Sequence, residues 1–160
     1  MIQCATKAAT LAGAQEHHFR VLQLPMNLLE AGACIEKNNG KIIKHIGDSI
    51  FAEFNSVLNC TSSAIKIQSD LRKRNDISRK NQKIIIRIGI HTGTVYERED
   101  DLFGIDVNLC SRIESAAPPG GIAASYALIN QIKHPDKYPN REMGYVKFKN
   151  IPTPHQIYKV

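Results

Sequence analysis

The chain has 160 residues, with 21 Lys and Arg against 15 Asp and Glu and a formal net charge of +6 at pH 7. This length predicts one domain over residues 1–160, and the lack of a signal-peptide pattern or of an apolar run near the roughly 20 residues of a membrane span predicts a cytoplasmic protein without a membrane segment. The basic residues are dispersed among acidic ones and aromatic residues are few, which argues against a nucleic-acid partner. A phosphate-bearing small ligand explains the positive charge equally well.

The first half of the chain predicts a helical region followed by a β-hairpin. Helical periodicity runs from about residue 14 to residue 37 and is interrupted at Pro25, which indicates two helical pieces or a helix that restarts there. Asn, Asn and Gly at 38–40 end it. Two short apolar runs, 41–43 and 50–54, then flank a Gly-Asp loop of the kind that a type II′ hairpin requires.

The second half predicts alternating helices and strands. Behind a polar cap at 55–56, apolar residues recur at helical spacing and predict an amphipathic helix that covers a sheet: Val57, Cys60, Ala64, Ile67 and Leu71. The further predicted elements are strands over 84–90, 121–124, 145–148 and 156–158, helices over 104–116 and 125–132, and a turn at 152–154. With a first strand near the N-terminus, this order predicts an α+β fold, a ferredoxin-like βαββαβ sandwich with C-terminal additions.

Two pairs of polar residues are candidates for chemistry. Asn108 and Arg112 lie one turn apart on a predicted helix, where they form either a solvated surface or a site that holds one anion from two directions. Lys44 and Asp48 lie in the predicted hairpin. One interpretation is that Lys44 is an exposed strand residue and Asp48 a polar turn residue. The other is that Asp48 holds a carboxylate at the hairpin tip, where it could bind a hard cation such as Mg²⁺. The four cysteines are scattered without a CxxC pair, so neither a zinc site nor a disulfide framework is indicated: Cys4, Cys34, Cys60 and Cys110.

Several separated motifs together resemble one known family. They are GKIIKHIGDSIFAEF at 40–54, IRIGIHTGTV at 86–95, DLFGIDVNLCSRIE at 101–114, PGGIAAS at 119–125 and FKNI at 148–151. In this order they closely resemble the catalytic domain of class III adenylate/guanylate cyclases, over most of the chain from about residue 40 onward. The resemblance implies the same ferredoxin-like core and an active site formed between two catalytic domains.

The resemblance also implies roles for individual residues. Lys44 and Asp101 match the pair that reads the purine, and a lysine with an aspartate suits adenine, since guanine-specific relatives usually carry a glutamate at the position of Lys44. Asn108 and Arg112 match residues that orient the ribose and stabilise the transition state. Lys149 matches a lysine that binds the terminal phosphates. Without the resemblance, Asp101 is read as a polar loop residue and Lys149 as an exposed strand lysine.

The implied metal site, which takes two Mg²⁺ or Mn²⁺ ions in the family, has one ligand in doubt. Asp48 matches one of two metal-binding aspartates. The other lies in the family in an N-terminal strand, and a gapless alignment of residues 1–7 with that strand puts Cys4 at its position. A thiol with a pKa of about 8.5 is a poor ligand for a hard ion, so this replacement implies weaker metal binding and slower chemistry.

Three functional hypotheses follow from the resemblance. The first is an adenylate cyclase domain that converts ATP to cyclic AMP and pyrophosphate as a homodimer, weakened by Cys4. The second is a non-catalytic module that binds nucleotide. The third is a heterodimer in which this chain lends its purine and transition-state residues to a partner cyclase chain that brings both metal aspartates.

Overall fold

The computed structural model describes residues 15–25, 29–46, 49–98, 101–133 and 135–160. Eight strands form one sheet: β1 Gln15–Pro25, β2 Gly40–Ile46, β3 Ser49–Phe54, β4 Ile88–Arg98, β5 Asp101–Phe103, β6 Ile122–Ser125, β7 Arg141–Val146 and β8 His155–Lys159. The α-helices are α1 Leu29–Lys37, α2 Val57–Ile77, α3 Ile105–Ala116 and α4 Tyr126–Ile129, and short 3₁₀ turns occupy Lys80–Gln82 and Pro135–Lys137.

The strand order is β2-β3-β1-β4-β6-β8-β7, with β5 paired to β4. Each of the first four strands in this order is antiparallel to its neighbour among them, and along the chain the elements follow as β1-α1-β2-β3-α2-β4. This is the ferredoxin-like arrangement that the sequence predicted. Strand β6 joins β4 in parallel, and β8 and β7 extend the sheet as the C-terminal additions.

Helices cover both faces of the sheet. On one face, α1, α2 and α4 contribute to a buried cluster with Ile88 and Ile90 of β4 and Ile122 and Ala124 of β6. On the other face, Leu109 and Ile113 of α3 pack with Ala123, the intervening residue of β6. Because successive strand residues point to opposite faces, α2 and α3 lie on opposite sides of β4 and β6.

The helix predicted over 14–37 is wrong in its first part. Residues Gln15–Pro25 form the strand β1, which pairs with β3 on one side and β4 on the other, and only Leu29–Lys37 is helical. Hydrogen bonding along both edges outweighs a helical pattern that depends on local propensity alone. The predicted end of the helix is confirmed, since Asn39 adopts a φ of 56° and β2 begins at Gly40.

The strand predicted over 84–90 begins only at Ile88. A side chain and a loop hold the segment 84–87 in place. The amide of Asn75 accepts a hydrogen bond from the N–H of Ile84 and donates one to the carbonyl of Ile84, and the N–H of Gly120 donates to the carbonyl of Ile86. These bonds satisfy the backbone without a neighbouring strand. The predicted helix over 125–132 is also too long, because α4 ends at Ile129 and the chain after it forms tight turns.

The other predicted helices and strands are confirmed within a few residues, whereas the Gly-Asp loop predicted at 47–48 lies outside the described residues. The helix α2 begins at Val57 behind Ser56, whose side chain accepts a hydrogen bond from the N–H of Asn59, and all five of its predicted core residues are buried. The predicted helix over 104–116 is α3, and the predicted strands over 121–124, 145–148 and 156–158 correspond to β6, β7 and β8.

Both outer strands of the sheet are irregular. The pairing of β2 with β3 shifts register between Ile42 and Lys44, and the pairing of β7 with β8 shifts between Glu142 and Gly144. Gly144 has a φ of +100°, a conformation that favours glycine. Each shift is typical of a β-bulge, which bends the strand and increases its twist.

Candidate active site

The sheet brings Lys44 of β2 and Asp101 of β5 together. Their Nζ and Oδ1 atoms are 2.5 Å apart, and both side chains are about one-third exposed, at 29% and 34%. The same Oδ1 atom accepts the N–H of Leu102 at 2.8 Å, which fixes the direction of the carboxylate. Two residues that are 57 positions apart in the chain therefore present a donor and an acceptor side by side.

Aromatic rings and an apolar floor surround this pair. The Lys44 ammonium lies 5.9 Å from the centroid of the Phe51 ring and 5.8 Å from that of Phe103, close enough for cation–π attraction. Phe51 is fully buried in a cluster with Val95, Leu102 and Cys110, whereas Phe103 is 46% exposed. The Lys44–Asp101 pair thus has a rigid apolar base and an open aromatic side.

The helix α3 presents Asn108 and Arg112 to solvent on one face, while Leu109 and Ile113 of the same helix are buried. Neither polar side chain forms a hydrogen bond or ion pair with another described residue. An amide and a guanidinium one turn apart can hold one anionic ligand from two directions. Their exposure leaves them available for a ligand or for a second protein surface.

Two glycines of β4 allow α3 to approach the sheet closely. A Cβ built on Gly89 would lie 2.6 Å from Cα of Glu114, and one built on Gly93 would lie 2.6 Å from Cβ of Asp106. Residues 89, 91 and 93 share one face of the strand, so a glycine faces each end of α3 and His91 lies between them. Any side chain at either glycine would push the helix away.

His91 connects three elements through its two ring nitrogens. Its Nδ1 atom is 2.7 Å from Oγ of Ser125 at the end of β6, and its Nε2 atom is 3.2 Å from Oδ1 of Asp106 on α3. Oδ2 of Asp106 accepts the backbone N–H of Thr94 at 2.7 Å. Sequence reasoning missed these three side chains, although the alternation Gly89, His91, Gly93 on one strand face was a signal for close helix packing around a polar residue.

The surroundings of Asp106 favour its ionised form. Burial raises the pKa of the carboxyl, but the hydrogen bond and charge of His91, together with the N–H of Thr94, outweigh burial and hold the pKa of Asp106 below its usual value. Nearby, burial and the charge of His91 lower the pKa of His155, against the opposing effect of Asp106. A groove of about 590 Å³ opens over these residues, with Tyr126 and Tyr145 at its rim.

Three further site residues were predicted from the sequence: Lys149, Asp48 and Cys4. Lys149 is exposed in the turn between β7 and β8, between the buried residues Phe148 and Ile151, and it forms no hydrogen bond or ion pair with a described residue. Asp48 and Cys4, the predicted metal positions, lie outside the described residues. Within the described ranges, no group of three His, Cys, Asp or Glu side chains could hold a metal ion.

The model of the adenylate and guanylate cyclase catalytic domain matches residues 15–158. The chain belongs to this family. A cyclase domain of this kind binds a nucleotide, generally uses divalent metal ions and typically dimerises.

Two curated relatives are similar over most of the cyclase chain. "Putative adenylate cyclase 3" of Rhizobium meliloti is 31% identical over 121 residues, which are 76% of this chain and 21% of that protein. An uncharacterised protein of Mycobacterium tuberculosis is 26% identical over 126 residues, which are 79% of this chain and 31% of that protein. The chain therefore spans about a fifth to a third of the length of these relatives.

Solved cyclase structures share the fold. An adenylate/guanylate cyclase/hydrolase from Silicibacter pomeroyi superposes with a TM-score of 0.81 at 23% identity, over 91% of this chain and 97% of that chain. The adenylyl cyclase CyaB from P. aeruginosa gives a TM-score of 0.71 at 22% identity, over 91% and 94%. Among the described residues, no helix is both long enough and apolar enough to cross a membrane.

Proposed function

We propose that residues 1–160 form an adenylate cyclase domain that converts ATP to cyclic AMP and pyrophosphate in the cytoplasm, at a site completed by a second cyclase domain. The observation that carries this proposal is the contact between Lys44 and Asp101, 2.5 Å apart beside two aromatic rings. It supplies a donor and an acceptor next to a buried apolar cluster. The edge of adenine offers a ring nitrogen that accepts and an amino group that donates.

The base-reading step follows from these groups. The ammonium of Lys44 would donate to the ring nitrogen, and the carboxylate of Asp101 would accept from the amino group of adenine. Phe103, which is 46% exposed, lies beside the lysine and offers a surface on which the base can stack. Adenine would therefore replace the direct ion pair by two hydrogen bonds to itself.

The residues of α3 suit the chemical step. The 3′-oxygen of ATP would attack the α-phosphorus, its proton would leave, and the bond from the α-phosphorus to pyrophosphate would break. Asn108 would orient the ribose, and Arg112 would meet the negative charge that develops on the α-phosphate in the transition state. The exposed ammonium of Lys149 would bind the terminal phosphates.

The metal ions of the reaction are proposed at Asp48, with Cys4 at the position of the second family aspartate. Mg²⁺ or Mn²⁺ held there would activate the attacking oxygen and neutralise the phosphates. A carboxylate suits such ions, whereas a thiol does not. The roles given above to the Lys44 and Arg112 side chains do not depend on which residues hold the metal.

Nucleotide selection gives the sharpest test of the active site. We would measure kcat/KM for ATP and GTP, with Mg²⁺ and with Mn²⁺, for the native chain, for Lys44→Glu and for Lys41→Glu. Lys41 lies on the same strand, and its side chain is 54% exposed. We expect the native chain to prefer ATP. Lys44→Glu should reduce this preference about 100-fold or more, because a carboxylate, which accepts, would then face the ring nitrogen of adenine, which also accepts. Lys41→Glu should leave the preference unchanged.

Two outcomes would contradict the proposal. Equal use of ATP and GTP by the native chain would refute the assignment of Lys44 and Asp101 to adenine. Absence of cyclic AMP from the native chain and from Cys4→Asp, alone and in mixtures, would refute cyclase activity. Activity in Cys4→Asp but not in the native chain would confirm the alignment of Cys4 and identify a cyclase disabled at its metal site.

A second candidate is a half-site partner. The purine pair Lys44 and Asp101 and the transition-state pair Asn108 and Arg112 are all present in this one chain, and the second pair is exposed and unbonded within the described structure. An intact cyclase domain that brings both metal aspartates would complete the site. Mixing the two should raise turnover, and the rise should be absent when the added chain carries Arg112→Ala.

A further inference from the structure

A chain of hydrogen bonds ties the beginning of α3 to two strands. Ser125 contacts Nδ1 of His91 at 2.7 Å, Nε2 of His91 contacts Asp106 at 3.2 Å, and Asp106 accepts the N–H of Thr94 at 2.7 Å. The His91 and Ser125 residues are 4% and 3% exposed. The network is therefore buried where it crosses β4 and β6, and it reaches α3 at its first turn.

The neighbours of the network decide how its protons are arranged. Oγ of Ser125 accepts the N–H of Leu128 at 3.3 Å as the cap of α4, and it lies 2.7 Å from Nδ1 of His91. An ionised carboxylate only accepts hydrogen bonds, so the N–H at Nε2 of His91 donates to Asp106. In this arrangement, each of the three side chains has a definite partner and the ring of His91 has one orientation.

The beginning of α3 depends on this anchor. Its cap residue, Gly104, has a φ of +140° and provides no side-chain hydrogen bond to the helix. The carboxylate of Asp106 is the group of the first turn that bonds to the sheet, and Gly93 leaves the space into which it fits. Asn108 follows two residues later and Arg112 one turn after that, so a shift of the first turn would move both.

A hydrolytic triad of the same three residue types does not explain the arrangement. A nucleophilic serine must reach a substrate, whereas Ser125 is 3% exposed and its oxygen caps a helix. The network joins structural elements and contains no accessible nucleophile.

We propose that His91 is a positioning residue for the cyclase reaction: its bond to Asp106 fixes α3 against β4 and thereby places Asn108 and Arg112. This inference rests on the proposed function for its effect on rate, but its effect on α3 is a property of the fold. The bond from Nε2 to Asp106 is the part that matters, and the bond from Nδ1 to Ser125 serves to orient the ring.

A pair of substitutions separates the two bonds of His91. The amide of glutamine reaches about as far as Nε2, and that of asparagine about as far as Nδ1, so His91→Gln keeps the partner on α3 and His91→Asn keeps the partner on β6. We expect amide hydrogen exchange at residues 109–112 of α3 to rise about tenfold in His91→Asn and to stay within threefold of native in His91→Gln. Amides of α2, on the opposite face, should not change in either variant.

Steady-state kinetics give the second measurement. In His91→Asn, kcat should fall about tenfold or more while KM for ATP stays within twofold, because Lys44 and Asp101 are untouched. His91→Gln should retain kcat within threefold. Chemical denaturation of both variants is the control. If His91 had a merely structural role, kcat and amide exchange would change in proportion to the free energy of unfolding, whichever hydrogen bond the variant keeps.

The outcomes are separable from those of the proposed function. Equal exchange and equal kcat in the two variants, or a greater effect of His91→Gln, would overturn the positioning role. If no cyclic AMP is formed by the native chain alone or mixed with an intact cyclase domain, the proposed function fails, while the difference in exchange still decides whether His91 positions α3.

Discussion

The closest approach of α3 to the sheet predicts the effect of a single methyl group. In Gly89→Ala, the new Cβ would lie 2.6 Å from Cα of Glu114, about 0.8 Å inside the 3.4 Å at which ordinary contact begins. The neighbour is helix backbone, so no side-chain rotation relieves the clash and the C-terminal half of α3 must move. Overpacking of this kind costs about 1–3 kcal/mol. Arg112, to which we assign the transition-state role, lies two residues before Glu114, and a displacement of about 1 Å at such a group would cost about 100-fold in rate.

Chemical denaturation and thermal unfolding measure the effect on stability. A loss of about 2 kcal/mol should lower Tm by about 4–8 °C in a domain of this size. The matched control is Gly32→Ala in α1, where the new Cβ would meet Cδ1 of Ile42 at an ordinary 3.6 Å. That change should stabilise the fold by about 0.5–1 kcal/mol, because alanine loses less entropy in a helix than glycine. An unchanged free energy of unfolding and an unchanged kcat in Gly89→Ala would refute the reasoning.

Two further predictions concern polar side chains that form hydrogen bonds between elements. Gln68→Leu removes two hydrogen bonds that a side chain only 2% exposed donates to the carbonyls of Ile86 and Gly121. Because each carbonyl keeps a backbone donor, we expect the free energy of unfolding in urea to fall by only about 1–2 kcal/mol. The exposed control Gln82→Leu should leave it unchanged. A loss above 4 kcal/mol would contradict this account. Since the pKa of Asp106 is lower in the folded chain than its unfolded value of about 3.9, its ionised form stabilises the fold above about pH 4 and this contribution is lost as the pH falls through the folded pKa. Asp106→Asn should therefore be less stable than the native chain at pH 7, and the difference should shrink at pH 3; a difference independent of pH would show that the charge contributes nothing.

The fold could be predicted where periodicity and caps agree with the sheet. Ser56 and the apolar spacing after it predicted α2, and the Gly at position 40 predicted the end of α1. The prediction failed where pairing partners decide the structure. The segment Gln15–Pro25 becomes a strand because β3 and β4 flank it, and neither neighbour is visible in its local sequence.

The site was predicted unevenly for a related reason. Lys44 and Asp101 were matched to the family as a purine-reading pair, and the sheet brings their side chains to 2.5 Å. His91 and Asp106 were missed because a histidine between glycines gives no hint of a partner that lies 15 residues further along the chain on another element. Family motifs therefore point to residues proposed to contact a ligand more readily than to the residues that position them.

The bulges at the two borders of the sheet also affect how the protein associates with itself. Fibrils grow when a flat outer strand offers its open backbone to another molecule. Here β2 and β7 are each interrupted in mid-strand, and they carry charged residues such as Lys41 and Arg141. Edge-to-edge pairing of sheets through β2 or β7 is therefore disfavoured, even at the concentrations at which cyclase domains dimerise.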